Sequence, residues 1–304
     1  MAMNWSVFTT RAIYGLTFAA IMAAGFLYSY WSFLLLFTIV HAGGWREYLK
    51  LNEKIYTTEF NLNLKLGLII LGFAVMLYVP IISARLFANT VITKTWFIGS
   101  FEFSPHFILL TTGTLLTMAG TLQQKVINLK AYLAAFLGLL YISLSFGLLL
   151  DLYRPVTIVD GENSWLSPAF FLPLTILSSI WVNDTMAYIV GSFIGKTPFS
   201  KISPKKTWEG TIGGAILAVA AIGLLFPLLF FKNQLDNLYP VLITISAIAA
   251  VAGTVGDLLE SKLKRMANIK DSGMMMPGHG GFLDRFDSLL IAVPCVWIFV
   301  RLFL

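Results

Sequence analysis

Apolar segments of 17 to 25 residues alternate with short polar segments along this 304-residue chain. A helix needs about 20 consecutive apolar residues to cross a bilayer, so the pattern predicts an all-α polytopic membrane protein with about nine transmembrane helices. The nine segments are 11–27, 30–49, 64–82, 105–121, 131–150, 166–190, 210–231, 239–258 and 286–304. The first two segments form a nearly continuous run that is broken only around residues 28–30, and we expect a tight hairpin there because one continuous run would overshoot a bilayer.

The two parts of the chain differ in polar content. Residues 1–160 contribute five predicted helices, which we interpret as a scaffold and a surface for dimer contact. Residues 161–304 contribute four predicted helices and two polar loops, and we expect this part to be catalytic. The N-terminus lacks the small-residue cleavage site of a signal peptide, so the first apolar segment is predicted to be retained.

The composition excludes an ordinary soluble domain. Hydrophobic residues make up 58% and charged residues 12% of the chain, whereas soluble domains have about 25% charged residues. The single cysteine, Cys295, rules out an intrachain disulfide. The histidines, His41, His106 and His279, are scattered, and no Cys/His zinc spacing occurs.

The net charge of +6 is better explained by membrane orientation than by nucleic acid. Sixteen of the 21 lysines and arginines lie in the N-terminus and in loops 43–65, 122–130, 191–209 and 259–285, which share one side of the predicted topology. This asymmetry predicts a cytoplasmic N-terminus and an external C-terminus. The mixed charges of 43–63 have helical spacing, and we interpret that segment as a structural surface helix.

The densest polar stretch runs from Ser261 to Asp287. Gly278, Gly280 and Gly281 can let backbone amides approach an anion, since glycine has no Cβ and tolerates positive φ. Asp284 and Asp287 would share a helix face and could converge on a hard cation, while Arg285 could grip a phosphate. The structural alternative is a cytoplasmic loop in which Asp284 caps a helix.

Polar residues also interrupt the apolar segments. Asp184, beside Asn183, is expensive within a bilayer and should face a cavity, although a helix-packing hydrogen bond beside a small-residue crossing at Gly191 and Gly195 would also explain it. Asp257 ends the eighth segment and is either a ligand or a terminal acid that reaches the membrane surface.

A second basic block precedes the seventh segment. Lys205 and Lys206 follow Ser203 and Pro204, and topology alone would account for both lysines. Thr207 is predicted to cap the following helix, with Glu209 in its first turn.

Together these blocks resemble the phosphatidate cytidylyltransferases of bacterial type, also called CDP-diglyceride synthases. The matching residues are Ser261, Lys264, Arg265, Lys270, Asp271, His279, Gly280, Gly281, Asp284, Arg285 and Asp287, with a second block at 203–210 and a third at 256–261. The resemblance implies phospholipid biosynthesis by cytidylyl transfer from CTP to phosphatidic acid, giving CDP-diacylglycerol and pyrophosphate.

The resemblance also implies roles for individual residues. It makes Lys205, Asp257, Asp284 and Arg285 catalytic, and Asp257, Asp284 and Asp287 ligands of Mg²⁺, with a second, monovalent cation such as K⁺ as an option. It assigns substrate binding to Ser203, Lys206, Ser261, Lys264, Arg265, Lys270, His279, Gly280 and Gly281. Asn183 and Asp184 are expected to bind substrate as well, because polar residues within an apolar segment should face a cavity. For His279, proton transfer and bracing of the glycine turn both stay open.

The expected partners are CTP, phosphatidic acid and the lipid bilayer, and a homodimer fits the family; nucleic acid is not expected. We expect a bacterial inner membrane, with a polar funnel between helices six to nine that opens to the cytoplasm. Two other classes remain. One is a CTP-dependent lipid kinase of the polyprenol or phytol type. The other is an ion-coupled transporter using Asp184 and Asp257, which the crowding of charge on one membrane face disfavours.

Overall fold

The computed structural model describes residues 5–88, 96–98, 101–103, 105–154, 157–160, 163–166, 168–230, 238–275 and 280–304. These residues form nine helical segments. They are α1 (Trp5–Leu27), α2 (Tyr30–Tyr56), α3 (Leu62–Ala88), α4 (Pro105–Gln123), α5 (Leu129–Gly138, the π-helical Leu139–Leu144, and Ser145–Leu152), α6 (Phe171–Ile194), α7 (Trp208–Ala218, the π-helical Val219–Leu225, and Phe226–Phe230), α8 (Leu238–Met266) and α9 (Phe282–Phe303). Each of the nine predicted apolar segments overlaps one of them.

Five of the described helices are long and apolar enough to cross a membrane. They cover Leu62–Leu86, Leu129–Leu152, Trp208–Leu229, Leu238–Met266 and Phe282–Phe303. Polar residues lower the hydropathy of other helices: α6 carries Asn183 and Asp184 in its middle, and the second half of α2 is charged. The chain is therefore a helical protein with several candidate membrane spans.

Two short hairpins lie almost entirely in the segments that connect the predicted helices. β1 (Trp96–Ile98) pairs antiparallel with β2 (Phe101–Phe103), with Trp96 opposite Phe103. β3 (Thr157–Asp160) pairs with β4 (Asn163–Leu166), with Thr157 opposite Leu166. Strands of three or four residues are too short to show a periodic pattern in the sequence, and pairing satisfies their backbone groups within the connector.

The described chain forms two compact units. The first comprises Met1–Leu150 with Met266–Arg285, and the second comprises Asp151–Arg265 with Phe286–Leu304. The first unit thus includes Met266–Arg285, which are part of the polar stretch in the predicted catalytic half of the chain. The second unit begins at Asp151, whereas the predicted boundary follows residue 160. The functional division of the chain stays a prediction.

In the first unit, α3 and α4 pack closely through glycines. A Cβ added to Gly67 would lie 2.5 Å from the backbone nitrogen of Thr117, and one added to Gly113 would lie 2.7 Å from that of Leu71. A buried polar cluster joins α2 to the π-helical part of α5: Trp45 Nε1 donates to Ser143 Oγ at 2.8 Å, and His41 Nε2 lies 2.9 Å from the same oxygen. This cluster fixes the rotation of α2 about its axis.

In the second unit, small residues bring α6 against α7 and α8 against α9. A Cβ on Gly210 would lie 2.9 Å from the Cα of Gly191, so the two backbones nearly touch, as the predicted small-residue crossing requires. A Cβ on Gly256 of α8 would lie 2.5 Å from the carbonyl oxygen of Asp287 of α9. A hydrogen bond of 3.1 Å from Ser179 to Ser246 joins α6 to α8.

Candidate functional site

A polar cavity of about 410 Å³ lies in the second unit, between α6, the start of α7 and the last third of α8. Five of the predicted site residues line it. The lining residues are Asn183, Asp184, Ala187, Tyr188, Gly191, Ser192, Lys205, Lys206, Thr207, Thr211, Thr254 and Asp257. Residues from three distant parts of the sequence therefore meet in one space, which we call the lysine–aspartate cavity.

Helix α6 supplies Asn183 and Asp184 to this cavity. Asn183 is 2% exposed, and its Nδ2 lies 3.4 Å both from Thr254 Oγ1 and from Asp184 Oδ1. Within the described part of the chain, Asn183 Oδ1 is buried without a hydrogen-bond partner. A buried acceptor without a partner is costly, so this oxygen lowers the stability of the protein as it stands.

The loop between α6 and α7 is held in shape by the start of α7. The side chain of Glu209 accepts hydrogen bonds from the backbone N–H groups of Lys196 and Thr197, at 3.2 and 3.1 Å. Thr207 Oγ1 accepts from the N–H of Gly210 at 3.1 Å, which confirms the predicted cap. This loop presents Lys205 and Lys206 to the cavity.

Asp257, at the cavity wall, has two side-chain partners. Its carboxylate forms an ion pair with Lys206 and accepts a hydrogen bond of 3.2 Å from Ser261 Oγ, one turn further along α8. The side chains of Lys206 and Asp257 are each 27% exposed, so the pair is accessible to a ligand. The Ser261 hydroxyl and the Lys206 ammonium thereby fix the orientation of the Asp257 carboxylate.

Two further acidic residues of the second unit, Asp287 and Glu260, have charged neighbours. Asp287, which is 9% exposed, interacts electrostatically with Asp257 and Asp184, and also with Lys264. Lys264 is paired in addition with the fully buried Glu260. Among the described residues, however, no group of three or more Asp, Glu, His or Cys side chains is arranged to hold a metal ion between them.

The other motif, in the first unit, is organised around Asp284. Its Oδ2 accepts hydrogen bonds from Ser272 N and from Gly281 N, both at 2.8 Å, and Ser272 Oγ lies 2.9 Å from the same oxygen. Gly280 has φ +79°, the left-handed conformation for which glycine is suited. Asp284 therefore fulfils the capping alternative, since the bond to Gly281 closes the start of α9.

Glu47 of α2 is a participant in this motif that the sequence analysis missed. Its carboxylate accepts from the backbone N–H groups of Phe282 at 3.0 Å and Leu283 at 2.8 Å, and from Ser272 Oγ at 2.8 Å. The partners are up to 236 positions away in sequence. The spacing of residues around Glu47 could not reveal this contact, because the partners are distant in sequence. The charged segment 43–63 was therefore interpreted as a structural surface helix.

The remaining predicted residues are located as follows. Arg265 and Lys270 are exposed, as is Arg285 in the first turn of α9, and Ser203 lies in the turn that its carbonyl closes with Lys206 N at 3.0 Å. His279 lies outside the described residues. Asp284 belongs to the first unit, whereas Asp257 and Asp287 belong to the second, so their convergence on one ion stays a prediction.

Comparison with known proteins identifies relatives of the chain. The sequence profile of the Cytidylyltransferase family matches residues 9–303. The "Phosphatidate cytidylyltransferase" of Bacillus subtilis (strain 168) is 44% identical over 125 residues, which cover 41% of this chain and 45% of that protein. The protein of the same name from Synechocystis sp. (strain ATCC 27184 / PCC 6803 / Kazusa) is 41% identical over 153 residues, covering 47% of this chain and 49% of that protein.

Both of these alignments span about half of the relative's length. A third relative, the "Phosphatidate cytidylyltransferase" of Rickettsia felis (strain ATCC VR-1525 / URRWXCal2), is 33% identical over 216 residues. That alignment covers 70% of this chain and 89% of the Rickettsia protein.

Proposed function

Because the chain belongs to the cytidylyltransferase family, we propose that it is a phosphatidate cytidylyltransferase of phospholipid biosynthesis. In this reaction an oxygen of the phosphate of phosphatidic acid attacks the α-phosphorus of CTP. The bond from the α-phosphorus to the oxygen that bridges to the β-phosphorus breaks, and pyrophosphate leaves with that electron pair. The observation that carries the proposal is the lysine–aspartate cavity, which combines cationic and anionic groups in a helical protein with several candidate membrane spans.

The main obstacle to this reaction is electrostatic. The attacking phosphate oxygen is already ionised near neutral pH, since the second pKa of a phosphomonoester is about 6, and no strong general base is required. Two anions must nevertheless approach each other. The ammonium groups of Lys205 and Lys206 at the cavity wall can offset that repulsion and orient the phosphates for in-line displacement.

The Lys206–Asp257 pair is suited to exchange its partners when substrate binds. A phosphate can take the place of Asp257 beside Lys206, and a cation can take the place of Lys206 beside Asp257. During this exchange each side chain would keep a group of opposite charge beside it, so neither would be left as an uncompensated charge in the partly buried cavity. Outside the cavity wall, Lys264, Arg265 and Arg285 are proposed to hold the lipid phosphate and the departing pyrophosphate.

Mg²⁺ fits the donor chemistry of these residues. Mg²⁺ is a hard cation that is usually held by carboxylate oxygens together with substrate phosphates and waters. Asp257, Asp284 and Asp287 would supply carboxylate oxygens. Bound there, Mg²⁺ would neutralise charge on the phosphate oxygens of CTP. A second cation such as K⁺ stays a prediction from the family resemblance.

We further propose the membrane arrangement that the charge asymmetry predicts. The nine apolar segments would each cross the bilayer of a bacterial inner membrane, with the N-terminus in the cytoplasm and the C-terminus outside. The lysine-bearing loop before α7 would then face the cytoplasm, where CTP is available. The polar funnel would admit the lipid headgroup from the side while the acyl chains stay in the bilayer, and two copies would form a homodimer.

Product analysis tests the proposed function. Purified protein in detergent, given phosphatidic acid and CTP with Mg²⁺, is expected to produce CDP-diacylglycerol and one equivalent of pyrophosphate. A lipid kinase would instead release CDP and phosphorylate a lipid alcohol. Vesicles that accumulate an ion or solute without nucleotide, and form no liponucleotide, would identify a transporter.

A further inference from the structure

We propose that Glu47 of α2 is a positioning residue for the Asp284–Arg285 site, acting through the start of α9. The proposal rests on the proposed function, because that function gives Asp284 and Arg285 their roles in the reaction. Glu47 itself contacts neither substrate nor the reacting atoms in this account. Its task is to fix the backbone from which Asp284 and Arg285 project.

The contacts define this task. The first N–H groups of a helix have no partner within the helix. At the start of α9 they are satisfied by two carboxylates: Gly281 N donates to Asp284, whereas Phe282 N and Leu283 N donate to Glu47 at 3.0 and 2.8 Å. Hydrogen bonds from N–H groups to a carboxylate are charge-assisted, and negative charge is favoured at a helix N-terminus.

Ser272 links the two carboxylates. Its hydroxyl oxygen lies 2.8 Å from Glu47 Oε2 and 2.9 Å from Asp284 Oδ2, and its N–H donates to Asp284. Ser272 is 5% exposed, so this link is shielded from water. Any displacement of the Glu47 carboxylate would therefore reach Asp284 both through Ser272 and through the first turn of α9.

Glycines make room for the Glu47 carboxylate. A Cβ added to Gly273 would lie 2.6 Å from Glu47 Cδ, and a Cβ added to Gly281 would lie 2.5 Å from the same atom. A Cβ on Gly43, one turn before Glu47, would lie 2.6 Å from Cγ of Phe282. Gly281 is one of the glycines predicted to let the backbone approach a bound anion; in the structure, the anion that it admits, together with Gly273, is a carboxylate of the chain itself.

Helix α2 provides a rigid base for this contact. Trp45, two positions before Glu47, is fully buried and bonded to Ser143 of α5, and His41 belongs to the same cluster. Because these bonds fix the rotation of α2, they also fix the direction in which Glu47 projects. A neutral replacement at position 47 should leave α2 in place and release only the start of α9.

The test compares Glu47→Gln and Glu47→Asp with wild type, and uses the exposed Glu59 as Glu59→Gln for a matched control. We expect Glu47→Gln to lower kcat for CDP-diacylglycerol formation 10- to 100-fold, with the KM for CTP within threefold of wild type, because misplaced supporting groups cost that much in comparable sites. Glu47→Asp, which keeps the charge, should recover part of the lost kcat. Glu59→Gln should match wild type.

Amide hydrogen exchange provides a readout that does not depend on turnover. In Glu47→Gln, exchange should accelerate at residues 281–283 and stay unchanged in α2. The proposal is overturned if Glu47→Gln keeps a kcat within twofold of wild type. It is also overturned if the loss of activity only follows a loss of folded protein, so that kcat per folded molecule and exchange at 281–283 equal those of wild type. A wild type that makes no liponucleotide would refute the proposed function instead, and the exchange data would still decide whether Glu47 holds the start of α9.

Discussion

Lys206 and Asp257 neutralise each other in a cavity whose other lining residues are mainly small or polar. Ser261 adds a hydrogen bond to the Asp257 carboxylate, so the acid has two partners before any ligand binds. Such pairing lowers the free-energy cost of placing charged groups in a membrane protein. It also leaves both charges available to bind a substrate phosphate and a cation.

Replacing Lys206 tests this role. We expect Lys206→Gln to lower kcat for CDP-diacylglycerol formation about 100-fold, because it removes a charged donor from the phosphates and leaves Asp257 without its ion-pair partner. The matched control is Lys201→Gln, which removes an exposed lysine of the same loop that does not line the cavity. The measurement is the initial rate of liponucleotide formation at saturating CTP. Equal losses in the two variants would show that only the overall positive charge of the loop matters.

Single residues differ in how far their sequence context reveals them. The cap at Thr207 could be predicted because it depends only on the next three residues of the sequence. The cavity position of Asp184 could be predicted because its neighbours in the sequence are apolar. The sequence predicted either a metal ligand or a helix cap at Asp284, and the structure shows the cap. Glu47 could not be predicted, because its partners are brought to it only by the tertiary fold.

At the scale of elements, the crossing of α6 and α7 shapes the cavity. The two backbones approach at Gly191 and Gly210, and again where a Cβ on Gly214 would lie 2.7 Å from the carbonyl oxygen of Asn183. This approach draws the lysine-bearing loop over the polar face of α6. The crossing therefore has a functional as well as a packing role, because it sets the distance between Lys206 and α6.

Substitution of Gly214 tests the crossing. Gly214→Val should force α6 and α7 apart and destabilise the protein by about 1–3 kcal/mol, since the atoms it meets include backbone that cannot move aside easily. The Tm in detergent should fall, and liponucleotide formation should fall with it. Gly15→Val is the control, because a Cβ at Gly15 of α1 meets nothing within 4 Å. A Gly214→Val protein as stable as Gly15→Val would contradict the close crossing.

The sequence predicted where the helices lie, but it predicted neither the π-helical stretches within them nor the two hairpins. The nine apolar segments overlap the described helices because apolar length is a local property that the sequence displays directly. Two π-helical stretches, Leu139–Leu144 and Val219–Leu225, could not be predicted from the apolar pattern, because they differ from the flanking helices in hydrogen bonding and not in hydropathy. The hairpins were missed because strands of this length are fixed by pairing within a connector.

At the scale of the whole molecule, the stretch from Ser261 to Asp287 reads as one site in the sequence but contributes to both compact units. Its residues up to Arg265, together with Phe286 and Asp287, belong to the second unit, which contains the lysine–aspartate cavity. Of the residues between them, the described 266–275 and 280–285 belong to the first unit, in which Ser272, Phe282 and Leu283 contact Glu47 of α2. A linear motif cannot show this division, because it depends on contacts with helices far away in sequence.

The most direct test of the account is the transfer of label from CTP to phosphatidic acid by wild type and by Asp257→Asn. With label on the α-phosphate, wild type should form labelled CDP-diacylglycerol in the presence of Mg²⁺. The asparagine variant, folded to the same Tm, should lose at least about 100-fold in rate, because an amide can neither pair with Lys206 nor hold a cation as a carboxylate does. Lipid labelled only from γ-labelled CTP, or an Asp257→Asn protein as active as wild type, would contradict the assignment of cytidylyl transfer to the lysine–aspartate cavity.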